Sequence, residues 1–308
     1  MKSSFWQHFP DVDDNDPLGL TDSLASYQKL YAFDFIKTCP AGTWLASCYG
    51  AVSEKIEDDL LGRRRVSEPI INEPNQWHLL PHFSESVPKP LSDQIETIKA
   101  LKQRNQSAEP ILATVFCPFS QAMQLAGEVT VLDHAKNYPT NLQSGINTLL
   151  ENTMYSIEKL LEAGASGIYL VNQHLDSKAS TLSAYDIFGH AADLACLGAV
   201  SDDSFNLFHI HGAPTRLPEL PTDKPWYLHG NQLRLTARPL LKSVLCFSPD
   251  EMLEIKSELQ IQNLIQMRFN PDWHVPIITP TCVLPLNFPE EHLLRWRSAA
   301  KTLITDDA

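Results

Sequence analysis

The chain has 308 residues, and its 24 Lys and Arg against 37 Asp and Glu give a formal net charge of −13. That balance argues against the broad basic surface needed to bind nucleic acids, and it disfavours anionic membranes. Neither a signal-peptide pattern nor a run of 18 apolar residues occurs, so we expect a cytoplasmic globular protein. The six cysteines form no CxxC pair, which argues against a disulfide framework or a zinc-finger module.

Short apolar runs alternate with helical patterns along the whole chain. The strand candidates are SSFWQHF (3–9), AFDFIK (32–37), ILATVFC (111–117), GIYLVN (167–172), FNLFHIH (205–211), PWYLHG (225–230), SVLCF (243–247) and VPIIT (275–279). Between the last two of these, Ser248 and Glu251 form a capping box that predicts the start of a helix. A second helix is predicted over residues 141–163, where apolar residues recur near a 3.6-residue spacing and Gly164 follows as the stop.

Eight strands separated by helices favour a parallel α/β sheet. In about 300 residues this pattern fits a (β/α)8 TIM barrel, a single domain over residues 1–308, better than an open doubly wound sheet. No GxGxxG or P-loop motif appears, which weakens the dinucleotide-binding and nucleotide-triphosphate alternatives.

Between the second and third strand candidates lies a long charged and proline-rich segment, residues 48–108. Because it is too long for a simple connection, we predict a helical and loop insertion that covers the barrel mouth. A disordered linker is the alternative, but one tryptophan, two histidines and paired leucines argue against it.

Two histidines stand close together at the end of the fifth strand candidate. In FNLFHIHG, strand alternation places His209 and His211 on one face at the carboxyl end, where barrel enzymes carry their active sites. Cys282 follows the last strand in a proline-bounded turn, ITPTCVLP. Two imidazoles and one thiolate suit zinc and leave one coordination position open. The alternative is a pair of histidines that hydrogen-bond to neighbouring backbone or carboxylate groups without a metal.

Other strand ends carry polar residues with weaker indications. His8 suits a substrate contact or acid–base role, or else packs as part of a barrel layer. Lys37 suits an anionic group, although an ion pair with Asp34 or another carboxylate is the favoured interpretation. The resulting predictions are catalytic roles for His8 and Gln173, and substrate contacts for Lys37, Asn172 and Asn231.

Five stretches, in the correct order, resemble the uroporphyrinogen decarboxylase superfamily. They are ILATVFCPFSQAMQLAG, YSIEKLLEAGASGIYLVNQ, FNLFHIHG, WYLHGN and IITPTCVLPLNFPEEHLLRWRSAA. The resemblance spans nearly the whole chain and implies a barrel enzyme.

True uroporphyrinogen decarboxylases carry an arginine-rich first strand that holds the carboxylates of their substrate. The corresponding stretch here, FWQHFPDVDD, contains no arginine. Arg63, Arg64 and Arg65 are the nearest cationic run, and we expect them to form a solvated surface. Tetrapyrrole decarboxylation with altered carboxylate recognition is therefore the alternative function.

A second branch of the superfamily resembles this chain in its metal-binding motif. It contains zinc-dependent methyltransferases that move methyl groups between a corrinoid carrier and a thiol, and its His-x-Cys and later Cys ligands match His209, His211 and Cys282. The resemblance implies zinc, a corrinoid donor, a small-molecule acceptor and a corrinoid protein as partner. His211 stands where relatives have cysteine, which leaves the zinc less negative and less able to activate a thiol. A third alternative is a barrel that binds a corrinoid or another small molecule without catalysis.

Overall fold

The computed structural model describes residues 1–12, 16–104, 109–175, 178–200, 204–212, 226–231, 242–272 and 274–303. The strands in these ranges are β1 (Lys2–Ser3), β2 (Ile36–Lys37), β3 (Ser53–Lys55), β4 (Arg64–Val66), β5 (Ile111–Phe116), β6 (Gly167–Asn172), β7 (Asn206–Ile210), β8 (Trp226–Gly230), β9 (Ser243–Phe247) and β10 (His274–Pro280).

The helices in the same ranges are α1 (Pro17–Tyr31), α2 (Trp44–Ser47), α3 (Lys89–Arg104), α4 (Pro118–Ala126), α5 (Glu128–Asn137), α6 (Pro139–Glu162), α7 (Ala179–Ala184), α8 (His190–Gly198), α9 (Pro249–Glu254), α10 (Glu258–Arg268) and α11 (Glu290–Thr302). A 3-10 helix spans Pro74–Leu79, and a π-helical turn, Tyr185–Gly189, joins α7 to α8. Within this part of the chain, none of the helices is long and apolar enough to cross a membrane.

Eight parallel strands form one curled sheet in the order β1-β10-β9-β8-β7-β6-β5-β2. Its two edges meet, because the Asp34 N–H donates to Ser3 O (2.9 Å) and the Ser4 hydroxyl donates to Phe35 O (2.7 Å). Helices pack against this sheet, among them α3, α6 and α11. The prediction of a parallel α/β architecture is confirmed, and the sheet has the form of a TIM-barrel-like fold. All strand carboxyl ends therefore lie at one end of the sheet.

The eight predicted strands are all present, but the first two are shorter than predicted. Ala32, the first residue of the second candidate, has φ 47° and caps α1 by donating its N–H to Gln28 O. A strand cannot begin in that left-handed conformation, so β2 starts only at Ile36. In contrast, the predicted capping box is confirmed: Ser248 Oγ accepts from the Glu251 N–H, and the Glu251 carboxylate accepts from the Ser248 N–H.

The described part of the predicted insertion, residues 48–104, has regular structure. β3 and β4 pair as an antiparallel hairpin, and the 3-10 helix and α3 follow. Trp77 is fully buried and donates its indole N–H to His134 Nδ1 (2.9 Å), which ties this segment to α5. That the segment is an insertion over the barrel mouth stays a prediction.

Gly145 in α6 lies directly against the Trp77 ring. A Cβ at this position would stand 2.3 Å from Trp77 Cε3, so the ring or the helix has to move in Gly145→Ala. We expect this variant to lose about 1–3 kcal/mol of unfolding free energy, measured by urea denaturation. Gly198→Ala in α8 is the matched control, because an added Cβ there meets nothing within 4 Å. Equal stabilities of the two variants would contradict the close packing of Gly145 against the Trp77 ring.

Candidate functional site

The carboxyl ends of β7 and β10 bring two imidazoles and a thiol together. His209 lies in β7, His211 follows that strand directly, and Cys282 comes two residues after β10. Their possible ligand atoms all lie within 4.8 Å of one another, and Cys282 Sγ is 3.7 Å from His211 Nδ1. The structure thus groups the three residues that the sequence predicted as a metal site.

His209 presents a ring nitrogen suited to a metal. The side chain is buried, and its Nδ1 lies 2.8 Å from Nδ1 of His229. Its Nε2 is buried and has no hydrogen-bond partner in the described part of the chain. Burial, followed by His229, His211 and Lys37, holds the pKa of His209 well below its usual value. The ring is therefore neutral at pH 7, as an imidazole ligand has to be.

Cys282 is also suited to binding a metal. Burial opposes ionisation of the thiol, but the hydrogen bond with His211, the charge of His211 and the positive charge of Lys37 together lower the pKa of Cys282 below its usual value. Since the thiolate is the form that coordinates zinc, these neighbours favour the state needed for metal binding.

The three residues line a cavity of about 120 Å³ at the carboxyl end of the sheet. Its other described lining residues are His8, Lys37, Pro40, Gly42, Arg63, Arg64, Thr114, Phe116, Gln124, Tyr169, Val171, Gln173 and Val283. None of the described lining residues is acidic. The cavity therefore combines a soft ligand set with cationic and neutral hydrogen-bond donors.

Lys37 is a buried cation beside the metal-site candidates. Its Nζ donates to Thr38 O (3.2 Å), lies 3.4 Å from Cys39 Sγ, and stands 4.5 Å from the centre of the Tyr169 ring. The favoured ion pair with Asp34 is wrong, because the Asp34 carboxylate instead accepts the Ser3 N–H (2.7 Å). Asp34 lies in a bend before β2, whereas Lys37 lies within that strand.

His8 lines the cavity as a neutral imidazole. Burial and, after it, the charge of Lys37 lower the pKa of His8 to about 4, while a hydrogen bond with the backbone of Cys39 acts in the opposite direction. The ring therefore has an unprotonated nitrogen at neutral pH.

Gln173 lines the cavity with a fixed amide orientation. The Gln124 Nε2 donates both to Gly42 O (2.9 Å) and to Gln173 Oε1 (3.1 Å). Because Oε1 is engaged as an acceptor, the Nε2 of Gln173 is the atom available to donate to a ligand.

Asn172 and Asn231 lie outside this cavity. Asn172 is buried: its Nδ2 donates to Asp193 Oδ2 (2.7 Å), and its backbone oxygen accepts the His211 N–H (2.9 Å). Its contacts therefore organise the end of β6 and the backbone of a candidate ligand. Asn231 lines a separate cavity, of about 240 Å³, with Arg268 and His274.

Some cavity residues were missed by sequence reasoning. Arg63 and Arg64, expected on a solvated surface, line the cavity, and Arg63 is held by a salt bridge to Asp59 (2.9 Å). The arginine run was a visible signal, but only the hairpin of β3 and β4 brings it to the site. His229 contacts His209 but does not line the cavity, and its only signal in the sequence is a histidine before the glycine at the end of a strand.

No protein-family model matches the sequence, and no curated protein matches it. Among solved structures, a methyltransferase from Methanosarcina mazei is similar with a TM-score of 0.73 at 13% identity, covering 93% of this chain and 86% of that one. A putative vitamin-B12 independent methionine synthase from Listeria monocytogenes has a TM-score of 0.50 at 14% identity, with 94% and 85% covered. A B12-independent methionine synthase from Shewanella sp. W3-18-1 has a TM-score of 0.50 at 10% identity, with 92% and 86% covered. Identities this low support the shared fold alone.

We expect the purified protein to bind about one zinc ion per chain, measured by elemental analysis and chelator competition. His209→Ala and Cys282→Ser each remove a ligand, so each should weaken zinc binding by more than about 100-fold, beyond the usual effect of a residue that only supports a ligand. Cys246→Ser is the matched control, since the Cys246 thiol lies against Thr279 Oγ1 (3.4 Å) outside the triad. Equal zinc loss in all three variants would argue against the site.

Proposed function

We propose that this protein transfers a methyl group to a thiol or another small nucleophile, using zinc held by His209, His211 and Cys282. The observation that carries the proposal is the grouping of three soft ligand atoms within 4.8 Å, with an unpartnered Nε2 on His209, in a cavity at the strand carboxyl ends. The fold shared with structures described as a methyltransferase and as methionine synthases adds support. The proposed donor is a methylcorrinoid, carried by a corrinoid protein as partner.

Zinc at this site would supply a Lewis acid that favours the thiolate form of a bound thiol at neutral pH. The residues of the chain have separate tasks. His8 is neutral at pH 7 and lines the cavity, so its unprotonated ring nitrogen accepts a hydrogen bond from the bound thiol. Its low pKa makes it a weak base, so the proton of the thiol leaves to solvent.

The cavity wall indicates which acceptors fit. Lys37 is buried without a carboxylate partner among the described residues, and Gln173 offers an amide donor. Arg64 lies on the same wall, where Arg63 is already paired with Asp59, so the cavity suits a nucleophile that carries an anionic group. We assign Lys37 as the contact for that group and Gln173 as a second donor to it.

Methyl transfer is tested with methylcobalamin as the donor and 3-mercaptopropionate as the acceptor. Demethylation of the corrinoid, followed by its absorbance, should require zinc-loaded protein and should fall to the background rate in His209→Ala. Metal-free protein with an unchanged rate would refute the zinc mechanism. Loss of acetate carboxyl groups from uroporphyrinogen would instead support the decarboxylase alternative.

Substrate recognition by Lys37 is tested separately. Lys37→Met keeps the length and apolar stem but removes the charge, so we expect KM for 3-mercaptopropionate to rise about 10-fold. KM for 2-mercaptoethanol, a thiol without a negative charge, should change much less. A similar change for both thiols would show that Lys37 does not recognise the anionic group.

A further inference from the structure

A second buried histidine, His229, connects the two elements that carry the candidate ligands. It lies in β8 directly opposite His209 in the parallel pairing of β7 and β8. Its Nε2 is 3.0 Å from the backbone oxygen of Pro280, and its Nδ1 is 2.8 Å from Nδ1 of His209. Pro280 ends β10 two residues before Cys282, so a single imidazole spans both ligand-bearing elements.

These contacts determine where the protons are. A carbonyl oxygen only accepts hydrogen bonds, so Nε2 of His229 carries a hydrogen and donates it to Pro280 O. No acidic group of the described chain contacts this fully buried ring, so the ring is neutral and its Nδ1 has a lone pair. At 2.8 Å the facing Nδ1 of His209 has to be the donor, because two lone pairs at that distance would repel each other.

We propose that His229 is a positioning residue that fixes His209 as its Nδ1–H tautomer. In that tautomer the Nε2 of His209 carries a lone pair and no hydrogen, which accounts for a buried ring nitrogen without a partner. The assignment of this lone pair to a metal ion rests on the proposed function. Two successive hydrogen bonds, from His209 to His229 and from His229 to Pro280 O, then determine which nitrogen of His209 is available as a ligand.

Tyr169 provides an internal control for these two hydrogen bonds. Its hydroxyl lies 3.1 Å from the same Nδ1 of His229, and its ring stacks on His209 with centroids 5.2 Å apart. Tyr169→Phe removes the second donor but keeps the ring and the His209–His229 bond. The tautomer of His209 should therefore not change in this variant.

The first experiment reads the tautomer directly in metal-free protein. With 15N-labelled histidine, the imidazole nitrogen shifts distinguish Nδ1–H from Nε2–H, and the signals lost in His209→Ala assign the residue. We expect the Nδ1–H form in the wild type and in Tyr169→Phe. His229→Leu removes the imidazole acceptor and leaves only the backbone of residue 229 as a hydrogen-bond partner, so it should produce a mixture of tautomers, whereas His229→Asn retains a side-chain acceptor oxygen and should restore the Nδ1–H form.

The second experiment measures zinc affinity by chelator competition in the same variants. We expect His229→Leu to bind zinc about 10–100-fold more weakly, with His229→Asn and Tyr169→Phe much closer to the wild type. A purely structural role would make both His229 variants equally poor. If His229→Leu does not fold, the wild-type tautomer and the His229→Asn variant still decide the question.

An Nε2–H form of His209 in the wild type would overturn the inference, as would an unchanged tautomer in His229→Leu. A wild type with the Nδ1–H form that binds no zinc would uphold the action of His229 on His209 and refute the proposed function instead. The two proposals are therefore separable.

Discussion

The hydrogen bond between Nδ1 of His209 and Nδ1 of His229 depends on the register of the parallel sheet. The two residues are direct partners in neighbouring strands, so their side chains stand on the same face at the same height. A slip of one residue would turn either side chain to the other face and separate the rings. The strand register therefore determines which nitrogen of His209 faces the cavity, and so connects the fold to its chemistry.

The cavity wall carries positively charged side chains, whereas the molecule as a whole is negatively charged. The chain has a net charge of −13, whereas the described cavity wall carries Lys37, Arg63 and Arg64 and no carboxylate. Burial, together with Lys37, keeps nearby imidazoles neutral: the pKa of His229 is lowered to about 3, with burial the main cause. Neutral imidazoles bind metals, and a local positive field attracts anions. The cavity wall therefore suits an anionic ligand, although the protein as a whole is negatively charged.

Local patterns predicted much of this structure. Strand alternation and the rule that barrel sites lie at strand carboxyl ends placed His209 and His211 together, because both depend on short-range geometry, and the family resemblance supplied Cys282 as the third partner. The capping box at Ser248 is local for the same reason. The positions of Arg63 and Arg64 could not be predicted, since a hairpin distant in sequence from the strand ends carries them to the cavity.

The pairing of buried polar groups could not be predicted from the sequence either. Lys37 and Asp34 are close in the chain, which favoured an ion pair, but the edge contact between β1 and β2 engages the Asp34 carboxylate first. Likewise, nothing in the spacing of His209 and His229, 20 residues apart, indicates that they are partners. The hydrogen-bond partner of a buried polar group depends on which other groups become buried beside it, and these are determined only when the sheet closes.

The histidine at position 211 bears on the kind of methyl donor that the proposed reaction needs. Two neutral imidazoles and one thiolate leave a zinc site more positive than two thiolates and one imidazole would, and Lys37 adds to that field. A bound thiol would ionise more easily there, but its thiolate would be a weaker nucleophile. A weaker nucleophile requires a donor that is already activated for methyl release. The ligand set therefore bears on how reactive the methyl donor of the proposed reaction has to be.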